Sequence, residues 1–272
     1  MNLQIQGKNA YCYTGGKAFN PAQPSVVFIH GAQSDHSVWG LQTRYFAHHG
    51  YNVLAVDLPG HGRSAGPALG SIEAISAWLL ALLDAAGIDK AMLVGHSMGS
   101  LAALETAGAA PDRVSKLALV GTAYPMKVSD ALLSAAREEE QRAIDMVNIW
   151  SHSTMSAKPS SPGPGFSVME GSRRLMQRMA QRGPELLFHT DFSVCNNYAD
   201  GEAAAQKVSC PTLLLLGQRD MMTPPRATAA LKQALTHSRT VIVPAAGHSL
   251  MAEQPDAVLD ALYGFASEKQ PA

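Results

Sequence analysis

The sequence predicts an α/β protein, a mostly parallel, doubly wound sheet flanked by helices, with a mostly helical cap inserted into it. Six short apolar runs recur along the 272-residue chain, and segments with helical spacing lie between them. One interval, of about 90 residues, is far longer than an ordinary crossover. Near-continuous apolar strands of this length imply burial on both faces, as in a parallel sheet covered by helices.

The strands follow in order. Residues 25–30 (SVVFIH) run into Gly31, and residues 52–57 (NVLAVD) run into the loop LPGHG at 58–62. Residues 91–96 (AMLVGH), 114–121 (VSKLALVG), 211–217 (PTLLLLG) and 240–243 complete the set. Helical spacing marks 36–49, 71–86, 98–110, 226–236 and 255–267, so strand and helix alternate with right-handed crossovers. Residues 2–5 and 10–13 are expected to form a leading antiparallel hairpin. The long interval contains REEEQRAIDMVNIW (137–150), the breaker-rich SAKPSSPGPG (156–165), SRRLMQRMAQ (172–181) and PELLFHTDFSVCNNY (184–198). The first, third and fourth read as helices and the second as a loop among them. The expected organisation is a core of residues 1–122 and 210–272, with a helical cap at 123–209. Met155, Met169, Met176 and Met179 suit an adaptable apolar surface in that cap, although each alone suits core filling.

Composition excludes several roles. Lys plus Arg number 21 against 22 Asp plus Glu, a net charge of −1, so no basic excess is available to neutralise a phosphate backbone. Nucleic acid is therefore not an expected partner; a small-molecule substrate is. The sequence shows neither a signal peptide nor a run of about 20 apolar residues, so no membrane association and a cytoplasmic location are expected. Three widely spaced cysteines, Cys12, Cys195 and Cys210, read as small buried hydrophobes in a reducing compartment.

The chemistry begins at LVGHSMGS (93–100). Gly95, His96, Ser97, Met98 and Gly99 match G-x-S-x-G directly after a strand and before a small-residue helix. A serine hydroxyl needs an imidazole to take its proton, and the imidazole needs a carboxylate to fix its tautomer. On a parallel sheet all three belong at the carboxyl ends of strands. Asp220 lies three residues beyond Gly217, and His248 lies just beyond the last strand in TVIVPAAGH. Alone, each has a plainer reading, as a loop aspartate or a structural histidine. Together, Ser97, Asp220 and His248 stand in the chain order nucleophile, acid, base. Gly31 lets the next backbone turn towards the nucleophile, which makes the N–H groups of Ala32 and Met98 the expected oxyanion donors. Gln33, His96, Tyr124, Met222 and Leu250 adjoin these strand ends and are candidates for lining the substrate pocket.

The set HGAQSDHSVW, DLPGHGRS, LVGHSMGS, LLLLGQRDMMTP and AAGHSLMAEQP resembles the α/β-hydrolase superfamily, in its capped single-domain serine esterase, lactonase and C–C-hydrolase branch. The resemblance covers the core from about Ser25 to the C-terminus; the cap matches no pattern. It implies attack of Ser97 on a carbonyl carbon, with His248 as general base and then acid, oriented by Asp220. It implies no metal or organic cofactor, and although His30, His61, His96 and His248 fall in neighbouring loops, no spacing resembles a zinc motif. Haloalkane dehalogenases and epoxide hydrolases of the superfamily carry aspartate where this chain has Ser97, which argues against both activities. The expected activity is hydrolysis of a small or medium carboxylic ester, thioester or lactone. Acyl transfer, cofactor-free perhydrolysis and C–C bond hydrolysis use the same residues and stay open, as does a non-catalytic ligand-binding module. Arg137, Arg173, Arg174 and Arg178 in the cap offer a grip on a carboxylate, though a solvated helix face is the plainer role for each.

Overall fold

The computed structural model describes residues 1–153, 167–182 and 186–268. Eight strands form one sheet: β1 (Asn2–Ile5), β2 (Lys8–Tyr13), β3 (Ser25–Ile29), β4 (Asn52–Val56), β5 (Ala91–His96), β6 (Val114–Val120), β7 (Thr212–Gly217) and β8 (Ser238–Val243). Their spatial order is β1-β2-β4-β3-β5-β6-β7-β8. The first two form the expected antiparallel hairpin, β2 pairs antiparallel with β4, and every later pairing is parallel. The mostly parallel, doubly wound sheet predicted from sequence is the observed one.

Alternation along the buried strands builds two cores. Val27, Ile29, Leu93, Leu214 and Leu216 join a cluster with α2 (Ile72–Ala85) and α3 (Met98–Ala109). Val26, Phe28, Met92, Val94, Leu213 and Leu215 join another with α1 (Gly40–His48) and a C-terminal helix at Pro255–Ser267. Residues one apart thus serve opposite faces, as the period of a strand requires. The N-terminus of α2 is fixed by Ser71, whose side chain accepts from Ala74 N at 3.1 Å. β8 is an edge strand with only Val243 fully buried. Its polar first half explains why only residues 240–243 stand out as an apolar run.

Between β6 and β7 lie α4 (Asp130–Glu138), α5 (Glu140–Trp150), α6 (Val168–Ala180), α7 (Leu187–Asn197) and α8 (Gly201–Lys207). The segment read as one helix at 137–150 is divided between α4 and α5, because Glu139 leaves helical geometry at φ −141, ψ 59. Helices α4 to α7 share their own apolar cluster around Leu132, Ile144, Phe188 and Phe192, packed against Ala32 and Met222. α8 falls within the range 123–209 but packs on α3, where a Cβ on Gly108 would lie 2.7 Å from Ala204 O. The Ser156–Gly165 loop, Met155 and the start of the 184–198 segment lie outside the described residues. The chain ends with α9 (Ala229–Ala234), α10 (Leu250–Glu253) and α11 (Pro255–Ser267).

Candidate active site

β5 ends at His96 and α3 begins at Met98, so Ser97 alone makes the turn, at φ +52, ψ −119. A residue with a Cβ is strained there, and neighbouring bonds must hold it. Ser97 N donates to Val120 O on β6 at 3.0 Å, and Ser97 O accepts from Ser100 N (2.8 Å) and Ser100 Oγ (2.6 Å). The flanking glycines are required by close approach: a Cβ on Gly95 would collide with the Gly99 carbonyl, and one on Gly99 would lie 2.5 Å from His30 O. The strand-to-helix turn is thereby tight enough to project the Ser97 side chain into the cavity that it lines.

Asp220 and His248 meet. His248 Nδ1 donates to Asp220 Oδ2 at 2.8 Å, with Thr223 Oγ1 a second acceptor at 3.0 Å. The Thr223 hydroxyl gives its own proton to Asp220 Oδ2 at 2.7 Å, while Asp220 Oδ1 accepts from Met222 N and Thr223 N, both at 2.8 Å. Two acceptors facing Nδ1 fix the proton there and leave Nε2 bare. Burial works against the charge on Asp220, but His248 and the Thr223 donors outweigh it and hold the carboxyl at about 2. Sequence reasoning missed Thr223. Its signal was the turn D-x-x-T-P, in which an aspartate accepts backbone N–H groups two and three residues ahead.

The other predicted residues divide. His96 lines the cavity beside Ser97, and its Nε2 donates to His248 O at 2.9 Å. Burial and the neighbouring His248 ring push His96 down to about 3, so it is neutral, with Nδ1 as its free acceptor. Ala32 and Met222 also line the cavity. Gly31 permits that approach, since a Cβ there would lie 3.0 Å from His96 Nδ1. Met98 is buried as the first residue of α3, where a helix leaves its N–H without an intrahelical partner. Gln33, Tyr124 and Leu250, expected to line the pocket, are not among the residues that wall this cavity. Tyr124 packs on Gly201 and Tyr198, and its hydroxyl donates to Ala199 O. Leu250 is fully buried in the apolar cluster behind the sheet, because α10 turns its neighbours Ser249 and Met251 to the cavity instead. Gln33 is fully buried behind the wall, at φ +52, with Nε2 donating to Glu140 Oε1 and Met176 O, both at 3.2 Å.

The cavity has two lobes that meet at Ser97 and His248. The larger, about 680 Å³, runs beneath α5 and α6. The smaller, about 150 Å³, is walled by Met126, Val128, Leu132, Trp150, Phe192 and Cys195. A cavity of that size holds a group about as large as benzene. Arg174 and Arg178 line the larger lobe. Both are ion-paired, to Glu170 at 2.7 Å and Asp35 at 3.0 Å, and Arg173 pairs with Asp145 at 2.7 Å. Arg137 is exposed at the end of α4.

Two buried acids that no sequence signal marked tie the insertion to the site. Asp191 Oδ2, on α7, accepts from Gln33 N (2.8 Å) and His61 Nε2 (2.9 Å). Burial alone would lower the His61 pKa, but Asp191 raises it above its usual value. Glu253, fully buried, accepts from Gly247 N beside His248 and from Ser153 N and Oγ at 2.9 and 2.8 Å. Among the described residues, Asp35, His36 and Asp57 bring ligand-type atoms within 4.8 Å of one another. Their oxygens are already engaged: Asp57 Oδ1 accepts from His36 N and Nδ1, its Oδ2 from Arg63 N, and Asp35 from Ser37 and Arg178. That donor set fits a loop brace better than a metal site.

A mostly parallel eight-stranded sheet with a strained serine elbow and a carboxylate-held histidine defines a class of hydrolytic enzymes. The chain belongs to the alpha/beta hydrolase family, whose model matches residues 26–261. It is 28% identical over 243 residues to the "Putative carbamate hydrolase RutD" of Klebsiella pneumoniae, covering 84% of this chain and 86% of that one. It is 28% identical over 252 residues to Esterase Rv0045c of Mycobacterium tuberculosis, covering 89% and 82%. The enol-lactonase from Burkholderia xenovorans LB400 shares the fold, with a TM-score of 0.78 at 23% identity over 98% of this chain and 100% of that one. The protein is thus an alpha/beta hydrolase. No helix among the described residues is long and apolar enough to cross a membrane.

Proposed function

We propose that this hydrolase cleaves a small or medium carboxylic ester, thioester or lactone through an acyl-enzyme on Ser97. The observation that carries the reading is the strained Ser97 turn opening onto the same cavity as His248, whose Nδ1 is held by Asp220 at 2.8 Å. His248 Nε2 takes the Ser97 proton as Oγ attacks the carbonyl carbon. The N–H groups of Ala32 and Met98 receive the developing oxyanion. The imidazolium, stabilised by Asp220, then protonates the leaving oxygen or sulfur, which departs to leave the acyl-enzyme. A water deprotonated by His248 attacks that ester, and the free acid leaves as Ser97 regains its proton. Helices α4 to α7 act as the cap, and the lobe of about 150 Å³ limits one side of the scissile bond to a short group.

A fluorophosphonate probe tests the nucleophile. Labelling of the wild type and its loss in Ser97→Ala are expected; equal labelling of both would sink the assignment. p-Nitrophenyl esters of rising acyl length then report the size limit. Added alcohol or peroxide distinguishes hydrolysis from transfer by diverting product from the free acid.

A further inference from the structure

Buried polar groups without a partner are rare, and each asks for an explanation. Among the described residues, three side chains carry such an atom: Gln33 Oε1, Trp39 Nε1 and Asn148 Oδ1. Of these residues, Asn148 lines the larger lobe of the cavity, on the wall made by α5. It is only 7% exposed. Its backbone is fixed, since Asn148 O accepts from His152 Nδ1 at 2.7 Å, and His152 Nε2 lies 3.3 Å from Ser172 Oγ on α6. The side-chain amide keeps one freedom. A half-turn about its terminal torsion exchanges oxygen and nitrogen at the cavity face, so the orphaned oxygen can meet a ligand without moving the helix.

We propose that Asn148 is a specificity-determining residue: its Oδ1 accepts a hydrogen bond from a hydroxyl or amide N–H on the substrate half held in the larger lobe. The inference rests on the reading of Ser97 as nucleophile and narrows it, from esters in general to esters or lactones bearing a donor away from the scissile bond. Such a site rejects an analogue that lacks the donor, because the buried acceptor is then left unpaired.

The test uses two matched series. One comprises butyrate monoesters of alkane diols of two to six carbons; the other comprises ethyl esters of ω-hydroxy acids of the same lengths. Each hydroxyl compound is paired with its O-methyl ether, which keeps the shape and loses the donor. The wild type is expected to favour the hydroxyl compound by about tenfold or more in kcat/KM at one length of one series. In Asn148→Leu that ratio is expected to fall towards one. The melting temperature of Asn148→Leu should not drop, because the replaced amide oxygen had no partner to lose. An unchanged ratio in Asn148→Leu, no wild-type preference at any length, or a clear fall in melting temperature would each overturn the proposal. Fluorophosphonate labelling separates the two readings. Ser97 labelled without a donor preference defeats the Asn148 assignment alone, whereas an unlabelled Ser97 defeats both.

Discussion

Replacing Asp220 by asparagine changes one oxygen to an NH₂ group, and the site around it says what each atom would do. Oδ1 keeps its bonds from Met222 N and Thr223 N, so the turn survives. The new amide takes the place of Oδ2 and faces His248 Nδ1 and Thr223 Oγ1, both of which now present donors. His248 must move its proton to Nε2, which can then no longer accept from Ser97. Where an asparagine replaces the acid of a serine triad, the loss in kcat is about 10⁴-fold, or about 5 kcal/mol of barrier. A loss of that size is expected here in kcat on a p-nitrophenyl ester, with the fold intact by circular dichroism. A second readout needs no substrate. The carboxyl sits at about 2 in the fold against an ordinary 3.8, a gap worth about 2 kcal/mol of stability. The folded value is the lower, so the contribution is complete above about pH 5 and shrinks as pH falls through about 2, with nearly half gone by about pH 3. Urea unfolding should therefore show the gap between wild type and Asp220→Asn narrowing by about 1 kcal/mol from pH 6 to pH 3. Retention of more than about a tenth of kcat, or a gap independent of pH, would refute the proposed coupling to His248.

Two further outcomes follow from the packing. Gly95→Ala drives a Cβ into the Gly99 carbonyl, with backbone on both sides and no flexible atom to yield, so a loss of about 2 kcal/mol or more is expected. An unchanged urea midpoint would mean that strand and helix are not locked at the serine turn. Asp191→Asn leaves His61 buried without its carboxylate and should cost about 3 kcal/mol. Because the His61 pKa is raised in the fold, its charge-linked stability is present below about pH 6.5 and is lost as pH rises through the raised value. Melting temperatures from pH 5 to 8 should show that decline in the wild type and not in Asp191→Asn; parallel profiles would argue that His61 is neutral throughout.

The fold was legible because parallel strands are buried on both faces, and short runs such as SVVFI and TLLLLG, alternating with helical spacing, carry that pattern. The ends of β5, β7 and β8 are where the proposed site residues were expected. Ser97 stands between glycines that only close packing explains, and Asp220 and His248 follow β7 and β8. Long-range partners were not legible. Asp191 lies 158 residues from Gln33 and 130 from His61, with no local pattern to announce either bond. Gln33, Tyr124 and Leu250, unlike His96 and Met222, miss the cavity wall for a related reason. Adjacency to a strand end fixes where the backbone is, but one step along a helix or loop swings a side chain to a different surface. Thus Ser249 and Met251 line the cavity while Leu250 between them enters the core.

The helices between β6 and β7 do more than roof the cavity. Asp191 holds the backbone N–H of Gln33, directly after the proposed donor Ala32, and Gln33 reaches back to Glu140 and Met176 in α5 and α6. At the other end, Ser151 O accepts from Ser249 N, and Glu253 joins Ser153 to Gly247, so α5 is tied to the residues on both sides of His248. The loops that carry the proposed oxyanion donor and the proposed base are therefore each anchored to the insertion by buried bonds. A change at one of these anchoring bonds also loads the loop that it holds. Groups that stabilise a transition state lose much of their effect when displaced by about 1 Å. Substitutions at these anchors should consequently lower kcat along with altering KM, whereas those confined to the cavity wall, such as Asn148, should act on discrimination between substrates. In this chain, specificity and rate are separable only at wall residues that do not also brace a loop.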